Sequence, residues 1–194
     1  MSWSILAGSS VGSGHDRAAL STQDAHAAAE IGPALVVAVA DGAGTAACAA
    51  TGASLAVRVA QQETGRLLRE RGETGFEPLV RDAARHTLHR FRRAVIALAD
   101  GARLHPRDFA TTLTVVLARP PWVGVFAVGD GFVVIRRGDG DLGLLLAPPR
   151  GSARPPGATT LLPGRPGLGV IRHRAAREHT LTGLAAGTDG VRRC

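Results

Sequence analysis

The stretch Leu35-Val36-Val37-Ala38-Val39-Ala40-Asp41-Gly42 decides how this chain is read. A short, continuous apolar run rich in β-branched valine reads as a buried strand. It ends on a carboxylate, and Gly42 and Gly44 turn the backbone directly after it. A carboxylate at a strand tip, beside a glycine whose carbonyl is unobstructed, suits a hard divalent cation. Mg²⁺ and Mn²⁺ take oxygen ligands and keep several waters, so a few carboxylates from separate strands suffice. Two further acidic landmarks, Gln23-Asp24 and Asp189-Gly190, complete a pattern that points to a metal-dependent hydrolase.

Working outward, the pattern turns helical from Ala46, with Leu55, Val59, Leu67 and Leu68 roughly on one face. Arg71-Gly72-Glu73-Thr74-Gly75 interrupts it. A second helix follows, with Leu79, Val80, Ala83, Leu88, Phe91, Val95 and Leu98 as an apolar stripe near the helical period. Asp100-Gly101 is its expected stop, because glycine accepts the left-handed conformation of a helix end.

The chain then becomes β-type. Residues 111–117 and 122–128 are strands joined by an Arg119-Pro120-Pro121 turn, and residues 132–135 continue the meander. Arg137-Gly138-Asp139-Gly140-Asp141 reads as a hairpin turn into residues 142–146. Residues 148–157 form a Pro/Gly/Arg loop, and residues 181–186 are the last strand, which delivers Asp189. The glycine- and serine-rich opening, residues 7–14, suggests a short strand running into a loop. A strand, two helices and a strand meander make an α+β fold rather than alternating βαβ units.

Composition bounds the answer. A length of 194 residues fits a single domain, residues 1–194, large enough to bury a core. No apolar stretch reaches membrane-span length and no secretory leader is apparent, so the expectation is a soluble, cytoplasmic protein. All 23 basic residues are arginine, against 16 acidic ones, for a formal charge of +7. The arginines are dispersed, with few aromatics between them and no nucleic-acid module, which argues against nucleic acid as partner. A basic surface equally suits phosphorylated substrates. Cys48 and Cys194 are too few for a disulfide scaffold and lack zinc-site spacing.

Five motifs follow one another in order: Gln23-Asp24-Ala25-His26, Val39-Ala40-Asp41-Gly42-Ala43-Gly44, Asp108-Phe109-Ala110-Thr111-Thr112-Leu113, Val128-Gly129-Asp130-Gly131 and Thr188-Asp189-Gly190. From about Gly12 to Gly190 the chain resembles PPM-type (type 2C) Ser/Thr protein phosphatases, most closely their compact bacterial branch. The resemblance implies two antiparallel sheets packed face to face with helices outside, an αββα sandwich. It also implies two Mn²⁺ or Mg²⁺ ions about 3.5–4 Å apart activating a bridging water that attacks phosphorus in line. The substrate class implied is phosphoserine or phosphothreonine in a protein, the counterpart of a Ser/Thr kinase.

Residue by residue, the resemblance makes Asp41 the bridging ligand and gives the Gly42 carbonyl to one ion. Asp189 serves the first metal, and Asp24 serves the second directly or through water. Asp130 supports the sheet edge or a third ion, and Arg17 is the candidate phosphate-binding arginine, with His15 beside it. Each Asp-Gly pair taken alone reads first as a common strand-terminal turn, and only the family-like context favours the metal role; Arg17 reads equally well as a solvated arginine.

Two departures from the family pattern shape the expectation. Gln23 stands where a glutamate is usual, and the Asp-Asn pair that completes the first metal site would lie beyond Cys194. A C-terminally truncated domain is therefore expected, with at most one metal at moderate Mn²⁺ and low or Mn²⁺-demanding activity, because ligand charge count sets affinity. The alternative is a catalytically weak phosphatase-like binding or regulatory domain.

Overall fold

The computed structural model describes residues 3–9, 22–71, 75–149, 159–164 and 171–188. The apolar run at the centre of the sequence becomes β2 (Ala34–Asp41), hydrogen-bonded on one side to β1 (Asp24–Ile31) and on the other to β3 (Leu113–Arg119). With β4 (Trp122–Val128) and β7 (Arg172–Arg177) they form a five-stranded antiparallel sheet in the order β1-β2-β3-β4-β7. The second sheet is three-stranded, in the order β6-β5-β8, built from β5 (Phe132–Arg137), β6 (Leu142–Leu146) and β8 (Leu181–Gly187).

The alternation of side chains along each strand sorts the interior into two layers. Ala34, Val36, Ala38 and Ala40 of β2 join Val115 and Leu117 of β3 against α1 (Ala49–Arg71) and α2 (Phe76–Ala102). Leu35 and Val37, on the opposite face of β2, join Val116, Val125 and Ala127 against Val133, Ile135, Leu146 and Leu181 of the smaller sheet. The α+β sandwich of two antiparallel sheets is thus the architecture observed. Among the described residues both helices cover the five-stranded sheet, and none covers the outer face of the three-stranded one. Leu142 and Leu144 of β6 remain 70% and 53% exposed.

The helix pair is fastened by Glu63 of α1, a buried carboxylate that accepts from Arg66 at 3.1 Å and from Arg90 of α2 at 2.9 Å. A buried carboxylate is tolerated when it is paired and hydrogen-bonded in this way. At the β3–β4 turn, Trp122 stacks on Phe76 with ring centroids 6.1 Å apart, and the Arg177 guanidinium lies 5.7 Å from the Trp122 ring. Trp3 packs at the base of β1, its amide 3.4 Å from a Glu30 carboxylate oxygen.

The structure corrects four local readings. Residues 7–9 of the expected opening strand carry no regular structure, and residues 10–14 lie outside the described residues. The helix does not stop at Gly101. It runs through Ala102, and Arg103 takes the left-handed turn at φ 56°. The Leu104 amide reaching Ala99 O at 2.9 Å closes that turn, so local hydrogen bonds offset the modest cost of a non-glycine cap.

Two strands were not expected at all. In β1, Asp-Ala-His-Ala-Ala-Ala-Glu-Ile carries little intrinsic strand preference, and pairing to the apolar β2 along eight residues imposes it. In β7, Arg-His-Arg-Ala-Ala-Arg is an edge strand whose charges suit a solvent-facing border.

Candidate metal centre

The register of β1 on β2 brings two of the expected residues together. Asp24 is the cross-strand partner of Asp41. The neighbouring couple carries the ladder bond, Gly42 N–H to Gln23 O at 3.2 Å, so Asp24 and Asp41 form a non-hydrogen-bonded pair. In such pairs Cα atoms lie about 4.5 Å apart and both side chains rise from the same face. Parity with Leu35 and Val37 puts that face toward the second sheet, at one end of the inter-sheet seam. Exposed His26 follows two residues along the same face.

Asp41 is held rigidly by its main chain. Its N–H donates to Thr112 Oγ1 at 2.9 Å, and its carbonyl accepts from the Thr112 N–H at 2.8 Å and from Thr111 Oγ1 at 2.9 Å. Both threonines are buried. The sequence reading assigned them to strand packing. Their position just before β3 makes them the clamp on the central carboxylate, a role no spacing rule would have revealed. Gly42 follows in an isolated bridge to Thr111. A Cβ there would lie 2.7 Å from Ala49 O, so only glycine lets this rim sit so close to the start of α1. Gln23 borders the same turn, its amide oxygen 3.8 Å from where a Gly44 Cβ would stand.

Asp130 lies in the turn between β4 and β5 at this end of the sandwich. Its Oδ2 accepts from Thr159 Oγ1 at 2.9 Å. Gly129 turns at φ +105°, and a Cβ on it would be 2.7 Å from Thr112 Cγ2, so the Asp130 turn rests on the clamp of Asp41. Arg172 of β7 braces the turn from the sheet edge, donating to Gly129 O at 2.7 Å, to Gly131 O at 3.1 Å and to Ala147 O. Burial lowers the Arg172 pKa from its ordinary value, and the nearby Asp130 charge opposes that shift. Sequence reading missed Arg172 because nothing in a basic edge strand distinguishes one arginine from the next.

The last residue of β8, Gly187, pairs with Phe132 beside the Asp130 turn, so β8 runs toward the same rim. Asp189 and Arg17, expected as metal ligand and phosphate contact, lie outside the described residues. Among the described residues no group of three or more His, Cys, Asp and Glu gathers for a metal. What gathers is a pair of carboxylates beside the Gly42 backbone. That hard, all-oxygen donor set fits Mg²⁺ or Mn²⁺ and no soft metal.

Comparison with known proteins places the chain in a family. Residues 11–193 match the family described as Protein phosphatase 2C. Over 157 residues the chain is 34% identical to Serine/threonine-protein phosphatase 3 of Escherichia coli (strain K12). The match covers 78% of this chain and 60% of that relative's length. A solved bacterial serine phosphatase variant superposes with a TM-score of 0.63 at 13% identity, covering 89% of this chain and 72% of its own. The catalytic domain of the serine/threonine protein phosphatase PstP, solved with 2 manganese ions, gives a TM-score of 0.55 at 16% identity, with 81% and 66% covered. At such identities these structures speak for the fold. With the family match spanning most of its length, the chain belongs to the protein phosphatase 2C family.

Proposed function

We propose that this protein is a metal-dependent phosphatase of phosphoserine and phosphothreonine in proteins, the counterpart of a Ser/Thr kinase. The observation that carries the reading is the Asp24–Asp41 pair, locked at the rim of the inter-sheet seam in a chain of this family. Asp41 and Asp24 would hold Mn²⁺ or Mg²⁺ together with the Gly42 carbonyl, and Asp189 and Asp130 are the proposed further ligands. When bound, the ions supply Lewis acidity to a water nucleophile and to the phosphate oxygens. The Thr111–Thr112 clamp holds the main chain from which the Asp41 carboxylate projects, and Arg17 is the proposed phosphate contact, its fork matching two oxygens. The test is hydrolysis of p-nitrophenyl phosphate with Mn²⁺. Asp41→Ala should abolish it, and an Asp41→Ala protein with undiminished turnover would remove the proposal.

A second reading has its own support. The neutral Gln23 stands beside the Asp24–Asp41 pair. A neutral amide oxygen holds a cation less strongly than a carboxylate, which suits a weakly catalytic, phosphoprotein-binding relative. Calorimetric titration with Mn²⁺ separates the two: two micromolar sites favour the enzyme, and no binding favours the binding domain.

A further inference from the structure

Between α2 and the segment of Leu162, Pro163 and Gly164 lies a cavity of about 370 Å³. Arg85, Leu88, His89 and Arg92 line it at the spacing of one helix face. The segment of Leu162, Pro163 and Gly164 forms the opposite wall, with Ile171 behind. Its floor is apolar: Leu88, Phe91 and Leu162 are buried, and Ile171 packs against the same core. Its rim carries the exposed guanidinium groups of Arg85 and Arg92, with exposed His86 and His89 beside them.

The charge around this cavity is strongly one-sided. Between Asp82 and Asp100 the helix carries Arg85, Arg90, Arg92, Arg93 and two histidines, and no carboxylate. Arg90 is spent on Glu63, and Arg85 lies 3.6 Å from Asp82. Among the described residues Arg92 has no ion pair. An apolar wall at Pro163 and Ile171 beside an unbalanced basic rim fits a ligand that is both anionic and apolar. An inorganic anion would satisfy the arginines and leave that wall exposed to water, and a nucleic-acid backbone would have no use for a pocket of this size.

We propose that this cavity is a docking site for an acidic peptide segment that seats one apolar side chain against the half-buried Pro163 and Ile171, above the buried Leu88 and Leu162, with its carboxylates against Arg85 and Arg92. A volume of about 370 Å³ accommodates one large side chain and its neighbours, and falls within the range of small ligand pockets. The cavity wall also touches the carboxylate rim through the backbone. Leu162 exchanges two backbone bonds with Thr111, at 2.8 and 3.0 Å, and Thr111 holds the Asp41 carbonyl. A docked segment would therefore lie one bridge away from the site at which a phosphorylated residue is expected. The docking site itself rests on no part of the phosphatase reading.

The test is fluorescence anisotropy of a labelled peptide of glutamates around one leucine, at low salt. The expected result is saturable binding that weakens by at least roughly tenfold in the Arg85→Glu/Arg92→Glu double variant. Replacing the peptide's leucine with serine should weaken it as well. Both arginines are exposed, and an unchanged melting temperature confirms that the variant is folded. Three results would overturn the proposal: no binding to the wild-type protein, equal affinity for the charge-reversed variant, or tighter binding of a single-stranded RNA of matched length. Displacement of the peptide by millimolar phosphate alone would reduce the site to a simple anion site and overturn it too. None of these readouts depends on Mn²⁺ or turnover, so failure here leaves the phosphatase reading standing, and the reverse.

Discussion

The Thr112 hydroxyl accepts the Asp41 amide at 2.9 Å from a position 71 residues away in sequence, and its own amide donates to the Asp41 carbonyl at 2.8 Å. The main chain that carries the central carboxylate of the rim is therefore held by a residue just before β3. Thr112→Val keeps the shape and removes the acceptor. An unsatisfied, part-buried N–H costs about 1–3 kcal/mol, a fall in melting temperature of a few degrees. Mn²⁺-dependent hydrolysis should fall further than that loss explains, and Thr112→Ser should restore both. Equal behaviour of the valine and serine variants would show that the hydroxyl does not position Asp41.

The Asp24–Asp41 pair predicts a link between stability and metal binding. Mn²⁺ should raise the melting temperature of the wild type more than that of Asp24→Asn, because ligand binding stabilises only the chain that binds it. Calorimetric melts with and without Mn²⁺ check this, and an equal rise in both proteins speaks against it.

Two helical glycines should respond in opposite directions to the same change. At Gly52 of α1 a Cβ would lie 2.2 Å from Phe109 O, a backbone atom that cannot step aside. Gly52→Ala should therefore destabilise by at least about 1–3 kcal/mol, the cost of overpacking. At Gly101, near the end of α2, a Cβ meets nothing within 4 Å. Gly101→Ala should stabilise by about 0.5–1 kcal/mol through helix propensity. Denaturant unfolding of the two variants reads both signs.

The smaller sheet carries a pH-dependent contact. Glu178 accepts from Arg137 Nε and Nη2, each at 3.1 Å, and this hydrogen bonding holds the Glu178 carboxyl below its ordinary value. A carboxyl depressed in the folded state contributes stability above its unfolded pKa and loses it as pH falls through the depressed value. Glu178→Gln should thus lower the melting temperature at neutral pH, and the gap to wild type should close in acid. A gap that stays constant between neutral pH and acid would refute the assignment.

Much of this was legible because strong signals coincide. The valine run gave β2, and Pro120-Pro121 and Gly138-Asp139-Gly140 gave their turns from local chemistry alone. Asp41 was visible because it ends that run. β1 was invisible because its alanines favour no strand, and with it went the partnership of Asp24 and Asp41, which exists only through cross-strand register. Arg172 and the two threonines were hidden for a related reason. Their roles are hydrogen bonds to main-chain atoms far away in sequence, and no periodicity encodes those.

The placement of the two tryptophans has a practical spectroscopic consequence. The chain has no tyrosine, so its near-ultraviolet emission comes from Trp3 and Trp122. Trp122 sits in the β3–β4 turn against Phe76, and Trp3 sits beside Glu30, at the far end of β1 from Asp24. Both chromophores therefore watch the end of the sandwich opposite the carboxylate pair. A Mg²⁺ titration followed by intrinsic emission would stay flat even as ions bind, while a denaturant titration would register the melting of the distal turns. Occupancy at the rim has to be read by heat or by melting temperature.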